Sequence, residues 1–269
     1  MSEVIIKVQK KKNVVEYRNA NGNLHNIDDL PAIVTTHKLG GFTHEWYRDG
    51  VRFREDGKPA IVYDYTLVNE VYGFRKMNCR CDIWFIDGER GRENDLPAYI
   101  RTVGTPFNFG SEEGYISHVE EWYKGGKLHR EDDLPAHVKI IVQTLGGYNQ
   151  DYSCERYHKN GKLHREGDLP AMIEENGVPT VYGDRLELWA MNDKSHRVGA
   201  PSEIVLNGTI HPSWDKSFKV PRIERWSIDG HYFSDYGTAQ DYDVEAYEAA
   251  VKIWNAKGKL PGRGHKVGY

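Results

Sequence analysis

A chain of 269 residues, 39% hydrophobic, 28% charged and 12% aromatic, is long enough for one repeat array or two ordinary domains. Its net charge of −4, from 36 basic and 40 acidic residues, removes a whole-molecule electrostatic case for binding DNA or other nucleic acid. Three cysteines, an odd and sparse count, argue against a disulfide framework, and no apolar run approaches membrane-spanning length.

The N-terminal residues Met1 to Ile6 lack the apolar core of a signal peptide, so a soluble, cytoplasmic protein is expected, without a membrane partner. Lys7 and Lys10 to Lys12 read as the solvated end of a strand. From there the chain repeats. Two copies are nearly identical: Trp122 to Ala136 contains Gly125-Gly126-Lys127-Leu128-His129-Arg130-Glu131-Asp132-Asp133-Leu134-Pro135-Ala136, and Tyr157 to Ala171 follows it almost residue for residue. Weaker copies begin at Tyr17, Trp46, Trp84, Trp189 and Trp226, giving about seven units separated by 29 to 38 residues. Asp193 takes the glycine position of the Trp189 copy, and the Trp226 copy loses both its arginine and its proline. Degraded terminal copies suit capping units.

Each unit reads as strands joined by tight turns. Asp49-Gly50, Asp87-Gly88, Gly125-Gly126, Asn160-Gly161 and Asp229-Gly230 favour two-residue hairpins, because both central residues need positive φ. Lys-Leu-His-Arg is the expected returning strand, with Leu128 and Arg130 on one face and Lys127 and His129 on the other. The acidic Leu-Pro segment ends it, since proline cannot donate to a ladder. The β-rich run after Pro135 is a third, longer strand, and Gly40-Gly41 and Gly146-Gly147 turn the chain back. The expected fold is mainly β, an elongated antiparallel meander or solenoid over residues 1–238, favoured over a seven-bladed propeller. Near the C-terminus, Val244, Tyr247, Val251 and Trp254 recur at helical spacing. They predict a capping helix within 239–258, started by Asp241 or Asp243 and ended by Gly258, then a mobile tail over 259–269.

The pattern Trp-x-x-x-Gly-Lys-Leu-His-Arg-Glu-Asp-x-Leu-Pro-Ala resembles the MORN-like repeats of bacteriophage and giant-virus proteins, over roughly residues 15–235. The resemblance implies an antiparallel-sheet scaffold that serves as an interaction surface, and a viral origin. The His-Arg step and the Leu-Pro-Ala ending depart from the eukaryotic pattern, so lipid or junctional roles are not carried over.

Arg54, Arg92, Arg130, Arg165 and Arg197 recur in step with the turns. They are either an anion-binding stripe, suited to a nucleotide ligand, or structural, each stacked on the aromatic of its unit and paired with the acidic turn such as Asp132 or Asp133. Recurrence in step with turn residues favours the structural reading. His25, His129, His164 and His196 recur without a matching nucleophile, and a catalytic site normally occurs once. Phosphate-loop, zinc-protease and serine-hydrolase motifs are missing from the sequence. Cys79 and Cys81 share a face of an extended segment but have no neighbouring ligand pair, so no metal or other cofactor is expected. Three insertions, at 64–82, 101–118 and 210–222, carry Tyr72, Phe74 and Arg75, then Phe107 and Phe109, then Trp214 and Phe218. These read as recognition loops or, with equal weight, as satellite cores. The expectation is a non-enzymatic protein that binds and inhibits or redirects a host protein such as a defence factor, with an anionic nucleotide sponge or a virion component as alternatives.

Overall fold

The computed structural model describes residues 5–69, 75–105, 114–145, 148–149, 151–180, 183–213, 216–234, 242–262 and 264–267. The protein is mainly β, an antiparallel meander with one helix near the C-terminal end. The chain forms two compact units, one of residues 1–128 and 139–148, the other of residues 129–138 and 149–269.

In the first unit the strands Ile6–Lys11, Val14–Arg18, Ile33–Thr36, Gly41–Glu45, Ile61–Asn69, Arg75–Ile83, Tyr99–Gly104 and Gly114–Glu121 pair in chain order, and residues 139–145 follow on the last of them. In the second unit Tyr152–Arg156, Met172–Thr180, Gly183–Leu188, Glu203–Ser213 and Lys216–Arg225 do the same. Consecutive pairing within single sheets is a meander, and it does not partition the strands into four-stranded blades. The side chains that fill it form small separate clusters, such as Met77, Cys79 and Val103 in one unit and Cys154, Leu163, Ala171, Met172 and Leu188 in the other.

From Gly41–Glu45 onward, every second long strand stops one residue before an anchor aromatic, and a two-residue hairpin leaves the sheet there. These hairpins are Tyr47–Arg48 with Val51–Arg52, Phe85–Ile86 with Glu89–Arg90, Tyr123–Lys124 with Lys127–Leu128, His158–Lys159 with Lys162–Leu163, Ala190–Met191 with Lys194–Ser195, and Ser227–Ile228 with His231–Tyr232. Every one turns through two residues of positive φ, as the Asn-Gly and Asp-Gly pairs require. Asp193 holds φ 69° at the glycine position and uses its carboxylate to accept the N–H of Leu163, 2.8 Å away. The side chain therefore has a function that glycine lacks.

The returning strand is shorter than its sequence suggests. It ends at Leu128 or Leu163, so the alternation does not continue into the next residue: Lys127 is exposed while His129 is buried. The stop also precedes the proline. A second tight turn does the work, with positive φ at Asp28-Asp29, Asp56-Gly57, Asn94-Asp95, Asp132-Asp133 and Gly167-Asp168. Asn and Asp tolerate this region better than other side chains. The N–H of Leu30, Lys58, Leu96 and Leu134 closes the turn on the carbonyl three residues earlier, at 3.0 to 3.3 Å.

The residue after the proline is the tightest point of the repeat. Ala32, Ala60, Ala98, Ala136, Ala171 and, in the last such turn, Ser202 are essentially without solvent exposure. Each of these N–H groups donates to the strand end of the next copy, as Ala60 does to Ile83 at 2.9 Å and Ala171 to Leu188 at 2.7 Å. The carbonyls of Ala32, Ala60, Ala98, Ala171 and Ser202 accept the N–H of their own copy's neighbouring anchor, as with Trp46 to Ala60 at 2.8 Å. A residue clamped on both backbone sides leaves space for a methyl group and little else.

The helix Val244–Lys257 is capped as its sequence predicts. Asp243 Oδ1 accepts the N–H of Ala246 at 2.9 Å, and Gly258 in the left-handed region donates to Trp254 at 2.7 Å. Tyr247 and Ala250 bury against Ile228 on the last hairpin and Leu260 beyond the helix. Within the segment expected to be a tail, Leu260 is buried and His265 and Val267 donate to Gly230 and Asp193 at 2.9 and 2.7 Å. These residues continue the stacking of one hairpin turn upon another and belong to the packed end of the unit.

The alanine position gives a direct test. Ala171→Leu should cost about 1–3 kcal/mol in chemical denaturation, the usual penalty of overpacking, whereas Ala249→Leu on the exposed helix face should change little. Equal effects at the two sites would contradict the clamp.

Candidate functional site

The recurring arginines converge on one arrangement. The guanidinium carbons of Arg54, Arg92, Arg165 and Arg197 lie over the rings of Trp46, Trp84, Tyr157 and Trp189, at 3.7, 3.9, 3.6 and 3.8 Å from the centroids. A cation that close to a ring face gains from the ring quadrupole as well as from contact. Nη1 of all five arginines donates to the carbonyl of the following proline: Arg54 to Pro59, Arg92 to Pro97, Arg130 to Pro135, Arg165 to Pro170 and Arg197 to Pro201, at 3.1 to 3.4 Å.

The remaining edge of the fork, Nε with Nη2, takes a carboxylate in Arg54, Arg165 and Arg197. Arg54 grips Asp29 at 2.7 and 3.0 Å, Arg165 grips Asp133 at 2.8 Å on both arms, and Arg197 grips Asp168 at 2.7 and 3.0 Å. Stacking on the aromatic of the same copy is as the sequence suggests. The acidic partner is not: it comes from the turn of the preceding copy, because that turn lies beside the next anchor aromatic. The indole N–H of Trp46, Trp84, Trp122 and Trp189 reports the same placement, donating to the carbonyls of Asp29, Gly57, Asp95 and Asp168 at 2.8 to 3.0 Å. The Arg54 hydrogen bond holds the Asp29 carboxyl down to about 2 against the opposing effect of burial, and Arg197 lowers Asp168 in the same way.

Three of the four recurring histidines serve a parallel ladder, whereas both ring nitrogens of His164 are buried without a hydrogen-bond partner among the described residues. Nδ1 of His25, His129 and His196 accepts the backbone N–H of Asp49, Asn160 and Asp229, each at 3.1 Å. Each of these rings thereby joins one hairpin turn to the next. Two similar clefts lie along these ladders. One, of about 520 Å³, is lined by His25, Asp29, Leu30, Trp46, Phe53 and Arg54; the other, of about 530 Å³, by His129, Asp133, Leu134, Tyr157, His164 and Arg165. They recur because the copies recur. Their Asp29 and Asp133 carboxylates are held by the arginine forks, and a serine, threonine or cysteine nucleophile is not among the lining residues.

Cys79 and Cys81 share one face of their strand and are both buried; burial pushes the Cys81 thiol up to about 11. Among the described residues no group of three or more His, Cys, Asp or Glu is placed to hold a metal ion. Among the described residues no helix is long and apolar enough to cross a membrane.

The insertions carry long strands. Residues 64–69 and 75–82 lengthen one hairpin, and Tyr65, Met77 and Tyr115 pack around Cys79 and Val103 as a satellite core. Tyr72, Phe74, Phe107, Phe109 and Trp214 lie outside the described residues. Arg75 pairs with Asn69 and Phe218 with Ile210 through their backbones. No family model, curated protein or solved structure matches the chain.

The histidines predict an acid response in two stages. Burial lowers His44 and His196 and brings His158 down to about 4. The unfolded chain takes up these protons near pH 6.5 and the folded chain resists, so stability is full above pH 6.5 and falls as pH drops toward 4. Asp29 and Asp168 act below that, their contribution being lost as pH falls from about 3.8 toward about 2. Denaturation midpoints at pH 7.5, 5 and 3 should fall in succession (roughly set by the histidine and aspartate reference values), and His158→Gln should flatten the first step. A midpoint constant across that first step would contradict the assignment.

Proposed function

We propose that this chain is a non-catalytic binding protein whose partner is another protein. The observation that carries this reading is the set of apolar side chains that the repeat leaves in water. Leu30, Leu96, Leu134 and Leu169, the residue before the proline in four turns, are 54, 44, 41 and 43% exposed. The backbone of Leu30, Leu96 and Leu134 closes a turn, which most residues can do, and Lys58 stands at the same place in another copy. A leucine that recurs where packing needs it little is better explained by contact with a partner's apolar surface. In the first unit Val51, Phe53 and Ile86 add further exposed apolar groups.

The viral resemblance makes a host protein the expected partner, met in the host cytoplasm and inhibited or redirected by the contact. The nucleotide sponge is the weaker reading, because the forks of Arg54, Arg165 and Arg197 are already filled by Asp29, Asp133 and Asp168. A virion or assembly role predicts large homo-oligomers instead.

Native mass spectrometry of the protein purified gently from bacterial lysate separates these readings. The account expects a protein mass bound at fixed stoichiometry. Exchanging Leu30, Leu96, Leu134 and Leu169 for lysine together should remove that mass by at least ten-fold while the thermal midpoint holds. A retained partner in that variant would refute the leucine contact, and a bound mass of small-molecule size lost with Arg165→Ala would favour the sponge.

A further inference from the structure

We propose that the fork of Arg92 is a binding site for a carboxylate that this chain does not itself supply. Arg92 repeats the geometry of its counterparts in every respect but one. Its guanidinium lies over Trp84 at 3.9 Å and its Nη1 donates to Pro97 at 3.4 Å. The preceding turn is also in place, since the Trp84 indole donates to the carbonyl of Gly57 at 2.8 Å. The residue at that turn position is Asp29, Asp133 and Asp168 where Arg54, Arg165 and Arg197 are gripped. Here it is glycine, with φ +62° and nothing within 4 Å of where its Cβ would stand.

The edge of the Arg92 fork that its counterparts close on an aspartate thus faces open space. Among the described residues no carboxylate is bonded to it. Asp56 of the preceding turn lies 3.3 Å from Lys58, and Asp82, whose charge reaches Arg92, is bonded to Arg80 at 2.8 Å. Burial lowers the affinity of Arg92 for its proton, whereas Arg165, subject to the same burial, is held above its ordinary value by Asp133. A planar fork fixed on a ring, with its rotamer held by a carbonyl, has already lost the freedom that anion binding would cost.

The three filled forks define the ligand by chemistry: a carboxylate approaching edge-on to make two parallel hydrogen bonds. It can arrive on an acidic side chain or on a chain terminus of another molecule. The fork would take it whether or not the leucines contact a protein, so the two ideas fail separately.

The test uses the whole protein. The side-chain Nε–H signals of its arginines are followed by NMR as acetate replaces chloride at constant ionic strength, with Arg92 assigned through Arg92→Lys. The Arg92 signal should shift saturably, and those of Arg54, Arg165 and Arg197 should stay in place. Gly57→Asp should abolish the shift. That variant keeps its fold, because Asp29, Asp133 and Asp168 occupy the same backbone region at φ 54°, 53° and 55°. By filling the fork it should also raise the thermal midpoint by about 2–4 °C. N-acetyl-aspartate amide binding more tightly than N-acetyl-alanine would identify an acidic side chain as the natural source, and the reverse order a chain terminus. A linear drift of Arg92 matching that of exposed Arg48, an unchanged acetate response in Gly57→Asp, or saturation by inorganic phosphate alone would overturn the proposal.

Discussion

The repeat depends on one contact: a guanidinium pressed on an aromatic ring and, at Arg54, Arg165 and Arg197, gripped by the aspartate of the copy before it. The arginine touches three separate stretches at once, its own anchor ring, its own proline carbonyl and the preceding turn. An exposed ion pair alone contributes about 0–1 kcal/mol. Here the arginine is mostly buried while its aspartate is half exposed, and stacking adds up to about 2 kcal/mol where the cation is desolvated. The sum, up to about 3 kcal/mol, is comparable to the burial of an anchor aromatic, and it is directional. It fixes where each turn lies against the next ring, and the alanine seam and histidine ladder follow from that placement.

The ends of the pattern show what the contact is for, because something replaces it wherever the arginine is missing. In the first copy Asn26 takes the proline-carbonyl bond, donating to Pro31 at 2.8 Å. In the last, the ring of Tyr242 stacks on Trp226 at 4.2 Å and 11°, in the manner of a guanidinium over its anchor, and leads directly into the capping helix. That helix then holds the preceding turn through the Tyr247 hydroxyl, which donates to Arg197 and accepts from Gly199.

Much of this was legible in the residues. Hairpin turns and helix caps are local chemistry, so Asn160-Gly161 and the pair Asp243 and Gly258 announce themselves. The second turn was hidden, because Asp132-Asp133 reads as an acidic stretch and carries no glycine, although both residues sit at positive φ. The partner of each arginine was hidden for another reason. Sequence offers an acidic group in its own turn, and only the stacking of copies brings Asp133 rather than Asp168 to Arg165. Periodicity likewise overstated the inserted loops, since residues 75–82 continue a strand whose inward face, Met77, Cys79 and Cys81, is core.

The most direct test is a double-mutant cycle on Arg165 and Asp133, using Arg165→Met and Asp133→Asn, the latter to preserve a backbone at φ 53°. If the contact organises the repeat, Arg165→Met alone should cost about 2 kcal/mol, and the two changes should couple by about 1 kcal/mol, as for a fork pair that is partly buried. Additivity within about 0.2 kcal/mol, with Arg165→Met costing less than about 0.5 kcal/mol, would place the arginines outside the fold's framework and return them to candidacy as a ligand-binding stripe.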